Sequence, residues 1–468
     1  MARFLIDSFG IWHSVAHLFA AVVACVLVIH VVAVGALVFI WLERKVSGRI
    51  QDRLGPTRVG GAFGWLQTLA DGLKLISKED ITPGDADRML FKLAPYVSFA
   101  ASFAAFVALP FSAHWVASNV NCGVFLVLAI LGLEVFGVIL AGYASGSKWS
   151  LFGAMREAAQ VVSYEVPLGM CVVIPVMLVG SMDLVKIGEW QAGWGSNWLI
   201  FHDPFSFAVF WVYVTCSVAS VNRAPFDLAE AESELVAGFH TEYSGLRWSF
   251  FFMAEYGSMF LVSALAAILF LGGWNGPVPV THIVASLAEA SSAFSYEANG
   301  IWNLGHPLWI YLADLVGCAN LLFKATLGVI VMIWVRWTLP RLRIDQVMTT
   351  CLKYCVPLAA FFFIGVIGWQ TGMFGVLGKA LPSPNDLAPA TSRVGVRETW
   401  VSSVSSEVTD SGSNEADAET EGAETEGADD QDGGAPKQAA AEPAEVPAQA
   451  STTPDTDTVV RGETGGRS

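Results

Sequence analysis

Apolar residues gather into eight long stretches, at roughly 17–41, 93–113, 121–142, 160–180, 204–221, 248–273, 307–335 and 354–376. Each is near the ~20 residues a helix needs to cross the hydrocarbon core of a bilayer. The pattern predicts an all-α, polytopic membrane protein with eight transmembrane helices. The first stretch is too long for the core of a signal peptide and runs into charge, not into a small-residue cleavage site, so it reads as a true span. The segment 61–78 is different. Leu66, Leu69, Leu73 and Ile76 recur every three or four residues there, with Asp71, Lys74 and Lys78 between them. That is the period of an amphipathic helix lying along a membrane surface.

The connections between spans fix an orientation. The first carries Arg44, Lys45, Arg49, Arg53, Arg58, Lys74, Lys78 and Arg88; the third carries Lys148 and Arg156; the fifth carries Arg223 and Arg247. The seventh carries Arg336, Arg341 and Arg343, whereas only Lys186 lies in an even-numbered connection. Basic residues favour the cytoplasmic side. Odd-numbered connections are therefore expected in the cytoplasm and both termini outside.

Composition agrees with the class and separates a tail from the body. The 468 residues are 54% hydrophobic and 15% charged, with a positive mean hydropathy, unlike an ordinary soluble globule. From Glu398 onward there are 17 acidic and 3 basic residues, a net of −14 out of the chain's −16, so residues 1–397 carry only −2. The acidity therefore belongs to the tail and says nothing of the body's partners. We divide the chain into a membrane domain, 1–378, and a disordered acidic tail, 379–468, too poor in apolar residues to fold. The seven cysteines are scattered and mostly lie within apolar runs. Neither zinc nor iron–sulfur spacing, nor a Walker or dinucleotide fingerprint, is present, and no metal site is expected.

Charge inside the apolar stretches points to chemistry. Glu43 closes the first span, Glu134 lies in the third, Glu165 in the fourth, Glu255 early in the sixth, and Lys324 in the middle of the seventh. Such residues usually face a bundle interior and mark a conduction route. The fifth connection adds Asp227, Glu230, Glu232, Glu234 and Glu242, five acids beside Arg223 and Arg247. On a helix, Glu230 and Glu234 would share one face about 5–6 Å apart. Like charges so close titrate as a group, which suits a proton relay.

Several separated stretches resemble the quinone-site membrane subunit of respiratory complex I, the H-type or 1-type membrane component of NADH:quinone oxidoreductase. They are Glu43-Arg-Lys through Gln51-Asp-Arg-Leu-Gly-Pro-Thr-Arg, Ala70-Asp-Gly-Leu-Lys-Leu, Ser147-Lys-Trp-Ser-Leu-Phe-Gly-Ala-Met-Arg and Ala159-Gln-Val-Val-Ser-Tyr-Glu. Further along come Asn222-Arg-Ala-Pro-Phe-Asp-Leu to Glu242-Tyr-Ser-Gly, Ala254-Glu-Tyr and Trp334-Val-Arg-Trp-Thr-Leu-Pro-Arg-Leu-Arg-Ile-Asp-Gln. The resemblance implies a quinone tunnel shaped by the cytoplasmic loops, with Arg44, Arg53, Asp71, Arg223, Phe226, Asp227 and Arg336 along it. It implies a coupling chain of Glu43, Glu134, Glu165, Glu230, Glu232, Glu234, Glu242 and Glu255 leading toward proton-pumping subunits. It further implies that quinone is substrate, that FMN and the iron–sulfur clusters sit in partner subunits, and that the chain lies in a bacterial cell membrane among other complex I subunits. No classical catalytic residue and no independent catalysis are expected, nor any contact with nucleic acid. The chain departs from the family pattern at Thr57, Gly61, Thr68 and Ala229; Ser220 stands where many members have a glutamate, and Glu157 is an extra acid without an assigned role. A stand-alone secondary transporter is one competing class, but such proteins often show internal repeats, and the sequence has none that can be seen. The related membrane subunit of a hydrogenase-type complex is another; the full acidic loop and the first-loop pattern favour the quinone enzyme.

Overall fold

The computed structural model describes residues 13–61, 63–228, 235–280, 284 and 305–376. Glu230, Glu232, Glu234 and the tail 379–468 lie outside them. The described residues are helical, with no strand among them. In order they form α1 (His13–Ile50), α2 (Gln67–Ser77), α3 (Arg88–Ala105), α4 (Gly123–Ala144), α5 (Lys148–Val179) and α6 (Leu184–Trp190). Then come α7 (Pro204–Ser220), a 3-10 turn at Gly238–His240, α8 (Gly245–Phe270), α9 (Gly305–Thr338) and α10 (Ile344–Thr349). A π turn, Thr350–Cys355, carries α10 into α11 (Val356–Val376).

Six helices among the described residues are long and apolar enough to cross a membrane: Ala21–Ile50, Gly123–Ala144, Lys148–Val179, Gly245–Phe270, Tyr311–Thr338 and Ile344–Gly372. The other two expected spans coincide with shorter or more polar helices. Pro204–Ser220 has 17 residues, and α3 begins on Arg88 and includes Lys92. The expected surface helix is also shorter than the segment 61–78, because turns occupy 61 and 63–66 and only Gln67–Ser77 is α-helical. Its stripe, Leu66, Leu69, Leu73 and Ile76, is exposed on the chain.

The sequence explains how several elements start and close. Asp87 accepts from the backbone N–H groups of Met89 and Leu90 at the start of α3, and Asp203 from that of Ser206 at the start of α7. Each satisfies donors that a helix leaves unpaired. At its other end α5 stops on Gly180, whose φ of 73° is open to glycine. Small residues then let helices approach: a Cβ at Gly137 of α4 would meet the backbone N of Ser98 on α3 at 2.6 Å.

Helix α8 is the centre of the bundle, with 78% of its apolar window buried against 18–44% in the other five. It packs on α3 and α9, while α5 packs on α4, α7 and α11. The functional consequence lies at one end. The C-terminal ends of α1, α7 and α9 meet the N-terminal turns of α5 and α8, and this is where the charged side chains collect.

Candidate functional site

Arg223 follows directly on α7 and its side chain is buried. Its Nη1 donates to both carboxylate oxygens of Glu43 at 3.3 Å. Its Nε lies 2.8 Å from Oε1 of Glu255, and its guanidinium sits 4.5 Å above the ring of Tyr256. Glu43, on α1, also pairs with Arg336 of α9 and accepts from the Tyr256 hydroxyl. Burial disfavours the Arg223 charge, but Glu255, Tyr256 and Glu43 more than offset it, holding its pKa well above the ordinary arginine value. Arg223 is therefore a permanent cation shared by two carboxylates. Its buried Nη2 has no hydrogen-bond partner among the described residues, so donor capacity remains for a third anion.

Glu255 connects this network to a cavity of about 60 Å3, room for on the order of four waters. Glu134 from α4, Glu157 from α5, Asp227 from the loop after α7, His240 from the 3-10 turn and Glu255 from α8 all line it. Ser258, one turn beyond Glu255, donates to Glu134 at 2.5 Å and sits 3.0 Å from Ser102. Asp227 pairs with Arg341 at 2.9 Å. Four carboxylates and an imidazole around one small cavity, its other walls largely apolar, can exchange protons through water, and a buried guanidinium beside them can set how many are held.

Other expected site residues stand in distinct places. Arg44 pairs with Asp71 at 2.5 Å, tying α1 to α2, and Lys74 approaches Asp71 at 3.7 Å. Trp41 stacks on Trp65 at 4.2 Å above the same junction. Arg53 is exposed in the turn after α1. Phe226 is buried, edge-on to Tyr164 at 5.4 Å. Glu165 stands beside α4, where a Cβ on Gly132 would meet its Oε1 at 3.0 Å. Glu242 lies just past the 3-10 turn; neither it nor Glu165 lines the cavity. The intramembrane Lys324, expected on a conduction route, meets backbone carbonyls. Its Nζ donates to the backbone carbonyls of Leu271, Gly273 and Asn275 at 2.5, 3.0 and 2.5 Å, so it caps the turn that follows α8, away from the conduction route expected for it.

Four participants escaped the sequence reading. Tyr256 adjoins Glu255, but a tyrosine in an apolar run carries no signal of its own. Arg341 had been read only as a topology charge. His240 gains meaning only through the fold. Glu157 lies two helical turns before Glu165, which puts both on one side of α5. Ser220 and Glu157, the missing and the additional acid, line the same cavity.

Comparison with known proteins agrees with the motifs. A family model described as NADH dehydrogenase matches residues 23–367. A Chlorobium luteolum protein named as the H subunit of NADH-quinone oxidoreductase is 44% identical over 330 residues, covering 70% of this chain and 83% of the relative. The protein of the same name from Anaeromyxobacter dehalogenans is 41% identical over 352 residues, covering 75% and 82%. That from Bacteroides thetaiotaomicron is 42% identical over 341 residues, covering 72% and 87%.

Proposed function

The chain belongs to the NADH dehydrogenase family, and from that membership we propose that it is the quinone-site membrane subunit of a proton-translocating NADH:quinone oxidoreductase. It crosses a bacterial cell membrane eight times, with α2 along the cytoplasmic surface and both termini outside. The membrane domain is 1–378 and the acidic tail 379–468. Its partners are the other complex I subunits, which carry the FMN and the iron–sulfur clusters; quinone is the substrate. The chain's own part is to shape the tunnel, through Arg44, Arg53, Asp71, Arg223, Phe226, Asp227 and Arg336, and to turn quinone reduction into proton movement.

One observation carries the coupling role: a single buried guanidinium, Arg223, is shared between Glu43 and a carboxylate, Glu255, that lines the cavity. Reduction of a quinone to a quinol takes two electrons and two protons, so negative charge develops on the head group before its protons arrive. A charge near Arg223 and Arg336 competes for their donors. Glu255 then loses part of its counter-ion and takes up a proton, which Glu134 and Asp227 can give or receive through the cavity. Glu165, Glu230, Glu232, Glu234 and Glu242 extend the chain of carboxylates beyond it.

The test is Glu255→Gln and Glu134→Gln in the assembled complex, reconstituted in vesicles. Removing a proton-carrying group from a relay costs about 10²–10⁴ in rate. Coupled quinone reduction is expected to fall by at least about tenfold while assembly and the quinone KM are retained. Unchanged turnover and unchanged pumping in both variants would overturn the reading.

A further inference from the structure

We infer that Glu157 is a protonation-controlled latch on the loop that carries Arg223. The inference rests on the coupling chamber proposed above and adds a residue and a step to it. Glu157 is 7% exposed, on the N-terminal part of α5, and lines the cavity together with Glu134, Asp227, His240 and Glu255. Among the described residues, those four are the titratable groups that share the cavity with it, from α4, the loop, the 3-10 turn and α8. It is also tied to the loop. The Asn222 Nδ2 donates to Glu157 Oε1 at 2.6 Å, and Asn222 Oδ1 accepts from Gln160 Nε2 at 2.9 Å. Gln160, fully buried one turn along α5, also donates to the Ala219 carbonyl at 2.8 Å. Two side chains of α5 therefore grip one asparagine from both sides.

That asparagine matters because of its backbone and its neighbour. Asn222 has φ 53°, the left-handed region in which asparagine is enriched among non-glycine residues. The next residue is Arg223. Whatever holds Asn222 holds the start of the loop that aims the shared guanidinium. An amide N–H bonded to a carboxylate is charge-assisted, roughly twice as strong as its neutral equivalent. A proton arriving on Glu157 forms an O–H bond there and breaks one on the donor, a cavity water or a neighbouring carboxyl. It also removes the charge that strengthens the Asn222 bond. Ionised Glu157 fixes the Arg223 loop; neutral Glu157 loosens it.

Two variants in the intact complex, reconstituted in vesicles, separate proton uptake from grip. Glu157→Gln still accepts from Asn222 but cannot be protonated: coupled turnover is expected to drop by at least about tenfold, with the quinone KM unchanged and a flattened pH profile that Glu157→Asp restores. Asn222→Ala leaves Glu157 titratable but ungripped: quinone reduction continues and fewer protons move per electron. Should Glu157→Gln fail to assemble, the proton-to-electron ratio of Asn222→Ala decides alone. A wild-type ratio there, or a wild-type rate and pH profile in Glu157→Gln, overturns the latch. If Glu255→Gln still slows turnover in the same assay, the chamber stands and only Glu157 falls; if neither variant matters, both fall.

Discussion

Arg223→Met is expected to abolish quinone reduction and to leave little assembled complex. The substitution keeps much of the side-chain volume and deletes one charge. Glu43 and Glu255 then lose the cation placed at 3.3 and 2.8 Å from their oxygens, and Glu43 keeps Arg336 and the Tyr256 hydroxyl. Removing one partner from a buried ion pair typically costs about 3–5 kcal/mol, a large fraction of the roughly 5–15 kcal/mol that holds a typical domain together. Arg223→Lys separates charge from geometry. An ammonium is a single point of charge and cannot fork between two carboxylates as a guanidinium does, so a partly assembled, slow complex is expected. Combining Arg223→Met with Glu255→Gln removes one of the stranded charges and should recover part of the lost assembly, a non-additivity that neighbouring sites allow. Native gels give the amount of complex, and a quinone reductase assay gives the rate. A fully assembled and active Arg223→Met complex would remove the guanidinium from the centre of the site.

The sequence carried the class of the fold because hydrocarbon imposes a length. Six of the eight apolar stretches coincide with described helices long and apolar enough to cross a membrane, and the other two overlap the shorter or more polar α3 and α7. Their ends were less legible. The run 17–41 gave no sign that α1 continues to Ile50, since its last turns are amphipathic and rest on other helices rather than on lipid. The glycines at 60, 61 and 64, with φ between 65° and 85°, hold the chain in turns ahead of the apolar period that starts at Leu66, so the surface helix begins later than the segment 61–78 suggested. At the site, buried charge made Glu43, Glu134, Arg223 and Glu255 visible one at a time, because an acid in an apolar run stands out. Their partners did not stand out. That Glu43 is held by Arg223, Arg336 and Tyr256 requires contacts across 180, 293 and 213 positions, which no local pattern encodes. Glu157 shows the same limit: it stands next to Arg156 in the third turn of α5, where an acid beside a base is ordinary, and the cavity gives it its surroundings.

Lys324→Met is expected to unfold the end of the bundle where α8 stops without changing the number of protons moved per electron. By composition Lys324 belonged with the acids, as an ion in mid-membrane. Its surroundings assign it another task. The carbonyls of Leu271, Gly273 and Asn275 stand where α8 has ended at Phe270. The unpaired carbonyls of α8 itself, Ile268 and Leu269, accept from the Gln191 side chain, which leaves the turn after the helix to Lys324. One ammonium, with three donors, meets three carbonyls of this turn and also lies 4.3 Å from the ring of Trp198. A thioether donates nothing. Each buried carbonyl left without a donor costs about 1–3 kcal/mol, so a loss on the order of several kcal/mol falls on α8, the most buried helix of the bundle. Thermal inactivation of the complex should begin at clearly lower temperature in Lys324→Met, and less so in Lys324→Arg, which keeps donors but not the compact fit. The protein that remains folded should reduce quinone and pump at the wild-type ratio, because the side chain lies at the opposite end of α8 from Glu255. If Lys324→Met instead keeps its thermal stability and loses proton movement, the lysine belongs to the relay after all and the capping role is wrong.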